Sequence, residues 1–467
     1  MTPPGISSSF EAVSIETCLA ELEDGRKIHQ GWSPQCDKSA AADNEWGVLK
    51  TTSIQAGRFE PEHNKRLPAK LSPRPHLEVR AGDILLTCAG PRHRCGVSCL
   101  VRRTRARVMI SGKMYRFRAN PERIRPEYLE AFLQSETARQ AIDRMKTGIS
   151  DSGLNLTHDR FRQLVIPLVP IDEQQRIIAQ IEKQFTRLDA GVASLKRMQS
   201  ALKRYRASVL KAACEGRLVP TEAELAGKEN CSYESGDALL QRILKERREK
   251  WNGKGKYKEP VKSNTADLPR LPEGWTWASA EQITRMITDG EHITPQRSES
   301  GILLLSARNI LDGRLALADV DYVPQSEYDR IAKRLVIEPG DVLLSCSGSV
   351  GRSAVAPDAL VFTLVRSVAV LKPLQQMGKY LSLALRSPLL QQQISRKKNQ
   401  TAQANIFQGK IKTLGVPLPP LAEQRRIVTD ADRRLSVIEE LESTISTEVQ
   451  RANRLRQSLL QEAFAEN

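Results

Sequence analysis

The chain has 467 residues, 40% of them hydrophobic and 27% charged, a composition that suits a soluble globular protein. That length exceeds what one hydrophobic core normally organises, so two or more domains are expected. Lysine and arginine (71) outnumber aspartate and glutamate (55), and the net charge of +16 favours a polyanionic partner, although a merely basic cytosolic protein has the same balance.

The opening MTPPGISSSFEAV has no basic segment followed by an apolar one, so no signal peptide is expected. No apolar run approaches the ~20 residues of a membrane span. A cytoplasmic location follows as the expectation. The cysteines lack paired Cys-x-x-Cys spacing, and His93, Cys95 and Cys99 have no second ligand pair beside them, so no metal site is predicted and the thiols are expected to be reduced.

Residues 1–163 read as a mixed α/β domain with short strands. VRAGDILLTCAGP, from Val79, reads as turn, strand and turn, with Gly82 and Asp83 bending the chain before an apolar run. PEYLEAFLQSETARQAI, from Pro126, reads as one helix with Leu129, Phe132 and Leu133 on one face. Residues 164–219 open on LVIPLVPIDEQQRII and then carry no proline between Pro170 and Pro220. Ile178, Ile181, Phe185, Leu188, Val192, Leu195, Met198, Leu202, Tyr205 and Val209 recur every three or four residues, which predicts a helix of ~40 residues and ~60 Å. Gly216 is a candidate stop.

Residues 220–270 read as a shorter basic helix, ESGDALLQRILKERREKW from Glu234, followed by a polar linker. Its lysines are either solvated or in reach of a nucleic acid. Residues 271–413, opened by LPEGWTW, read as a second mixed domain, and residues 414–467 as a second long helix.

The chain is internally duplicated. LVIPLVPIDEQQRII from Leu164 returns as LGVPLPPLAEQRRIV from Leu414, so Pro167, Pro170, Glu173, Gln174 and Arg176 meet Pro417, Pro420, Glu423, Gln424 and Arg426. Gly82, Asp83, Leu85 and Cys88 likewise meet Gly340, Asp341, Leu343 and Cys346, and Tyr128, Leu129, Ser135 and Ile142 meet Tyr380, Leu381, Ser387 and Ile394. Offsets drifting from 258 through 252 to 250 place the length differences in loops. Two long helices of equal length in one chain predict an antiparallel intramolecular coiled coil, against the plainer reading of core helices in a bundle.

Enzyme signatures are missing. GSVGRS, from Gly348, has neither the spacing nor the lysine of a phosphate-binding loop. There is no dinucleotide fingerprint after a strand, no adenine-methyltransferase Asn/Asp-Pro-Pro-Tyr, and no acidic-x-Lys after Asp83 or Asp341, which read as turn residues. The chain is therefore expected not to be an enzyme itself, to use no cofactor and to have no catalytic or metal residues. Recognition chemistry is present instead. Arg92 and Arg94 in GPRHRCG, Arg308 and Asn309 in LSARNI, and Arg352 in GSVGRS lie on predicted turns. There, arginine and asparagine suit guanine and adenine edges, or are simply solvated loop groups. Gln400, Gln403 and Asn405 in NQTAQANIF align with Ser150, Gly153 and Asn155 in GISDSGLNL, a polar loop just ahead of the repeat.

On the doubled LVPIDEQ and LPPLAEQ entries to long helices, on LPEGWTW and on the paired GDILL and GDVLL, the chain resembles the specificity subunits of type I restriction–modification systems along nearly its whole length. The first copy departs from the pattern: it has Val169-Pro170-Ile171 for Pro419-Pro420-Leu421 and lacks the Leu-Pro-x-Gly-Trp opening. The resemblance implies an α+β fold with two tandem target recognition domains separated by two long antiparallel helices. Each domain would read half of a bipartite double-stranded DNA target, and the helices would set the spacer. Two modification subunits would dock and carry the adenine-methylating chemistry, and two restriction subunits would add ATP-driven translocation and cleavage. Glu173, Gln174, Glu423 and Gln424 would sit where each domain meets its helix, with a structural or partner-docking role or simple helix N-terminal chemistry. The competing readings are a coiled-coil scaffold with two protein-binding modules, whose partners would be indifferent to DNA sequence, and a magnesium-dependent nuclease with an unrecognised site.

Overall fold

A computed structural model describes residues 10–251, 256–397 and 404–464. The chain divides into two compact units, Met1–Lys196 with Ser446–Asn467, and Arg197–Ile445.

In the first unit the strands that frame the site are β1 (Glu11–Ser14), β2 (Ile28–Gln30), β3 (Ile84–Thr87), β4 (Ser98–Leu100), β5 (Met114–Phe117) and β6 (Val165–Leu168). Four of them form an antiparallel sheet in the order β2-β5-β3-β4, while β1 pairs with β6, Glu11 opposite Leu168 and Ser14 opposite Val165. Every residue of β3 and β5 is buried, as a run enclosed on both faces requires. One face packs Ile84, Leu86, Tyr115 and Phe117 under the helices, and the other packs Leu85 and Met114 against a smaller sheet.

The stretch from Pro126, expected to be one helix, forms two: α1 (Pro126–Gln134) and α2 (Glu136–Met145). Ser135 between them is extended (ψ 156°), and its Oγ accepts from the Ala138 amide at 3.2 Å, capping α2. A serine does not disturb apolar periodicity, so the break is silent in the pattern.

The long helices are α3 (Ile171–Cys214, 44 residues) and, at the far end of the chain, Leu421–Ala463 (43 residues). Gly216 ends the first with φ +65°, and the Arg217 amide returns to the Ala212 carbonyl. Within the first unit Ile177 and Ile181 share a core with Leu460 and Phe464, and Arg456 pairs with Asp189 at 2.7 Å and lies 3.8 Å over Phe185. Within the second, Arg206 meets Glu439 and Glu442, and Leu210 and Ala213 share a core with Ile427 and Leu435. In both units, positions rising along one helix meet positions falling along the other, so the pairing is antiparallel. The seam is narrower than the heptad stripe: Met198, Tyr205, Leu441 and Leu455 stay exposed. Two helices alone cover only one side of such a stripe.

The second unit adds α4 (Glu222–Glu229), α5 (Gly236–Glu249), β7 (Thr276–Ser279), β8 (Thr284–Asp289), β9 (Val342–Ser345), β10 (Ser353–Val355), β11 (Val368–Pro373), α6 (Gly378–Arg386), α7 (Pro388–Lys397) and β12 (Gly415–Leu418), which lead into α8, the Leu421–Ala463 helix. Its sheet order, β8-β11-β9-β10, and its β7–β12 pair repeat the first unit strand for strand. Ser387 breaks α6 from α7 as Ser135 does α1 from α2, its Oγ donating to the Ala384 carbonyl at 2.6 Å. Among the described residues, no helix is long and apolar enough to cross a membrane.

Candidate nucleic-acid interface

The Gly-Asp turns do more than start a strand. Gly82 and Gly340 take φ of +88° and +87°, which only glycine adopts cheaply, and Asp83 and Asp341 cap the turns by accepting from the Arg80 and Glu338 amides at 2.7 and 2.8 Å. Each carboxylate is also buried against a cation from the neighbouring strand. Asp83 bonds Arg116 at 3.2 Å and Arg118 at 2.6 Å, and Asp341 bonds Lys372 at 2.5 Å. Burial pushes the Asp341 carboxyl up, against the lowering pull of Lys372, and pushes the Lys372 ammonium down. These pairs fix the start of β3 and β9, and so where each strand ends.

Beyond each of these strands the two units keep the same arrangement. After β3, Ala89 bridges to Asn155, and the Leu156 amide donates to the Cys88 carbonyl at 2.8 Å. After β9, Ser347 bridges to Asn405, and the Ile406 amide donates to the Cys346 carbonyl at 3.0 Å. The turn beyond the Gly-Asp strand and the polar loop ahead of the repeat, separate in the sequence, thus meet at one edge of each unit.

The predicted reading residues fare differently. Ser150 and Asn155 are exposed on the polar loop, beside a fully exposed Ile149. Arg92 is exposed and held by Asp151 at 3.1 Å and Asp143 at 2.5 Å. Arg94 turns inward, donating to the Thr51 and Ile54 carbonyls and to Gln55, so its guanidinium braces the loop over residues 51–55. Arg308 is exposed and pairs with Asp321 at 3.1 Å. Asn309, its neighbour, is 1% exposed: its Oδ1 accepts from the Ser306 amide and its Nδ2 donates to the Ala316 and Asp319 carbonyls. That amide has no donor or acceptor left for a base. Arg352 is half-buried, and its guanidinium has no hydrogen-bond or ion-pair partner among the described residues. Asn405 is half-buried at the bridge, while Gln400 and Gln403 lie outside the described residues.

Groups not singled out in the sequence gather at the same edges. Arg139, Arg144 and Lys146 line one cleft with Arg92 and Arg94. Lys146 bonds Asp143 at 2.9 Å and, ahead of burial and of Arg92, holds that carboxyl below its usual range. In the second unit Arg366, His292, Phe407 and Gln408 line a cleft with Ser347 and Asn405. Arg366 precedes β11 at no turn signal, and Phe407 is 58% exposed although its type favours a core. Of the sequence's sulfur and histidine group, Cys95 and Cys99 are buried with thiols pushed up by burial, and His93 is exposed.

The Glu-Gln pair at each helix start is engaged within the chain. Gln174 is fully buried, accepting from the Arg125 amide and donating to the Arg123 and Val169 carbonyls. Gln424 donates to Pro419. Glu423 is 0% exposed and accepts from Trp275 Nε1 at 3.0 Å and the Glu222 amide at 2.9 Å; burial raises its carboxyl above the usual range. Glu173 instead pairs with the exposed Arg176 at 3.1 Å.

Residues 325–451 match the family described as type I restriction modification DNA specificity domain. Over those residues the chain carries a domain of that family. The resemblance carried by its repeats is borne out. The EcoEI specificity subunit of Escherichia coli is 39% identical over 173 residues, 37% of this chain and 28% of that protein. The EcoBI specificity subunit of the same species is 24% identical over 313 residues, 66% of this chain and 60% of the relative. The chain thus spans less than two thirds of either. A solved chain from work on complex assembly and conformational transition of a type I restriction–modification system matches with a TM-score of 0.62 and 21% identity over 99% of both chains, a likeness of fold.

Proposed function

We propose that the chain is the non-catalytic specificity subunit of a cytoplasmic type I restriction–modification complex, each unit reading one half of a bipartite double-stranded DNA target. The observation that carries this is the duplicated bridge, Ala89 to Asn155 and Ser347 to Asn405, which brings turn and polar loop to one edge twice on different side chains. Similar frames with different side chains suit two different half-sites, since base edges are read by side chains while the backbone frame only positions them. Arg92, Ser150 and Asn155 in one unit, and Arg308, Arg352, Arg366 and Asn405 in the other, are the residues proposed to face DNA. Arg94 and Asn309 do not belong to that set, because their polar groups are engaged inside the fold. Gln400 and Gln403 stay in it on the repeat alone.

In this reading the antiparallel helices set the spacing between half-sites, which must follow the ~34 Å turn of DNA. Two modification subunits and two restriction subunits supply methylation, translocation and cleavage, and the chain itself needs no cofactor. The test is adenine-methylation mapping of cells with and without this chain, its modification partner present. A split motif should lose methylation on deletion and return on complementation. No change in any motif would leave the scaffold reading in front.

A further inference from the structure

Two large apolar side chains sit where the fold makes no use of them. Ile149 is the most exposed large hydrophobic among the described residues, Phe407 is exposed as well, and neither belongs to a hydrophobic core. Local chemistry argues against both. Ile149 stands in a polar loop with Ser150 and Ser152. Phe407 holds the N-cap position of the short helix Gln408–Lys412, a place that favours a side-chain oxygen and where the duplicate has Thr157. Phenylalanine there makes no cap bond. One such residue is ordinary, but each unit places one at the edge where its turn and polar loop meet.

Both are held in place by their backbones. The loop that carries Ile149 is tied at its ends by Thr147 and Asn155, which exchange backbone bonds of 2.7 and 2.8 Å, and the Gly153 amide returns to the Ser150 carbonyl at 3.0 Å. The Arg92 amide donates to the Asp151 carbonyl at 2.9 Å, so this loop and the Arg92 turn share one edge. Phe407 follows the buried Ile406, and its carbonyl accepts from the Lys410 and Ile411 amides at 2.9 and 3.1 Å. It lines one cleft with Arg366, whose exposed guanidinium has no hydrogen-bond or ion-pair partner among the described residues.

Resting on the DNA reading above, we propose that Ile149 and Phe407 are specificity-determining residues, each reading a thymine through its 5-methyl group in the major groove, one in each half-site. That methyl is the apolar group that base edges present there, and a guanidinium on the same edge meets guanine O6 and N7. An apolar side chain set among Arg366, Asn405, Gln408 and His292 suits such a groove, whereas a protein interface gathers apolar side chains into a buried core. The two residues come from different points of the repeat: the counterpart of Phe407 is Thr157, eight residues beyond Ile149. The thymines therefore fall at different places in the two half-sites.

The probe is a duplex carrying the split motif found by methylation mapping, its thymines replaced one at a time by deoxyuridine, which lacks only the methyl. Binding to the full chain with its modification partner is followed by anisotropy at fixed salt. In each half-site one replacement should weaken binding about fourfold, the ~0.8 kcal/mol of one buried carbon. Phe407→Ala should abolish that penalty in one half-site and leave it in the other, and Ile149→Ala should do the reverse, a pattern that general misfolding cannot produce. Sequence-specific binding that tolerates deoxyuridine at every thymine overturns this proposal alone, as does a penalty that survives both alanine variants. So does a Phe407→Ala loss equal on thymine and deoxyuridine duplexes at every position, which would mean insertion between base pairs. Binding with no preference for any motif overturns the DNA reading and this proposal with it.

Discussion

Replacing Asp83 separates two roles that one carboxylate plays. It caps the Gly82 turn through the Arg80 amide and neutralises Arg116, which is 1% exposed, together with Arg118. Losing a neutral cap bond costs about 1 kcal/mol. Leaving a buried guanidinium without its carboxylate costs about 3–5 kcal/mol. Glu23 reaches Arg116 at 3.3 Å but is 42% exposed, so it compensates little. Asp83→Ala should therefore lower the urea midpoint of the first unit by about 1–2 M, taking a slope of about 2–3 kcal/mol per M. Asp83→Asn keeps the cap acceptor and removes the charge, and should cost nearly as much as alanine. Asp83→Leu combined with Arg116→Met should recover much of the loss. Hydrogen exchange of β3 and β5 in urea reads the first unit, with β9 and β11 of the second as the internal control. A near-neutral Asp83→Asn would refute the argument, because it would mean that the turn and not the buried charge carries the stability.

The remaining expectations are shorter. Arg352→Gln should weaken binding to the cognate DNA by about 1–3 kcal/mol and relax methylation at one half-site, whereas Arg94→Gln should chiefly destabilise the first unit; DNA titration beside thermal melts distinguishes the two. Glu423 holds its proton more tightly folded than unfolded, so its contribution is largest below the ordinary glutamate pKa and declines as pH rises through its raised folded value. The melting-temperature gap between wild type and Glu423→Gln should narrow from pH 4 to pH 7.5, and a widening gap would count against a buried carboxyl. Ser135→Ala should cost about 1 kcal/mol through the lost cap of α2, read by the melting of the first unit.

What the sequence made legible was whatever local chemistry or repetition marks. Pro-x-x-Pro-x-x-Glu-Gln at each helix start, Gly-Asp before each apolar strand and the long proline-free stripes are local, and doubling removed their ambiguity. Pairings set by strand register were not legible: nothing near Asp83 announces Arg116, 33 residues on. Neighbours also diverge for reasons that only packing decides. Arg308 and Asn309 share a turn, yet one projects outward and the other closes that turn from within. The same holds for Arg92 and Arg94, two residues apart around a turn whose direction residues 51–55 determine.

The duplication then explains why some signals had to be weak in one copy. Trp275 donates its indole N–H to Glu423, but β1 is preceded by Phe10, which packs on the first unit's core and has no such donor. A buried carboxylate without that donor and without the Glu222 amide would carry an uncompensated desolvation cost, so Glu173 stays toward water with Arg176. The missing tryptophan and the exposed arginine are therefore one difference, not two. Where the Leu-Pro-x-Gly-Trp opening fades in the first copy, the backbone amide that meets Glu423 in the second has no counterpart at Glu173 among the described residues. The strand itself persists because its partner β6 and the residues behind it, Ile15 and Ile166, are retained.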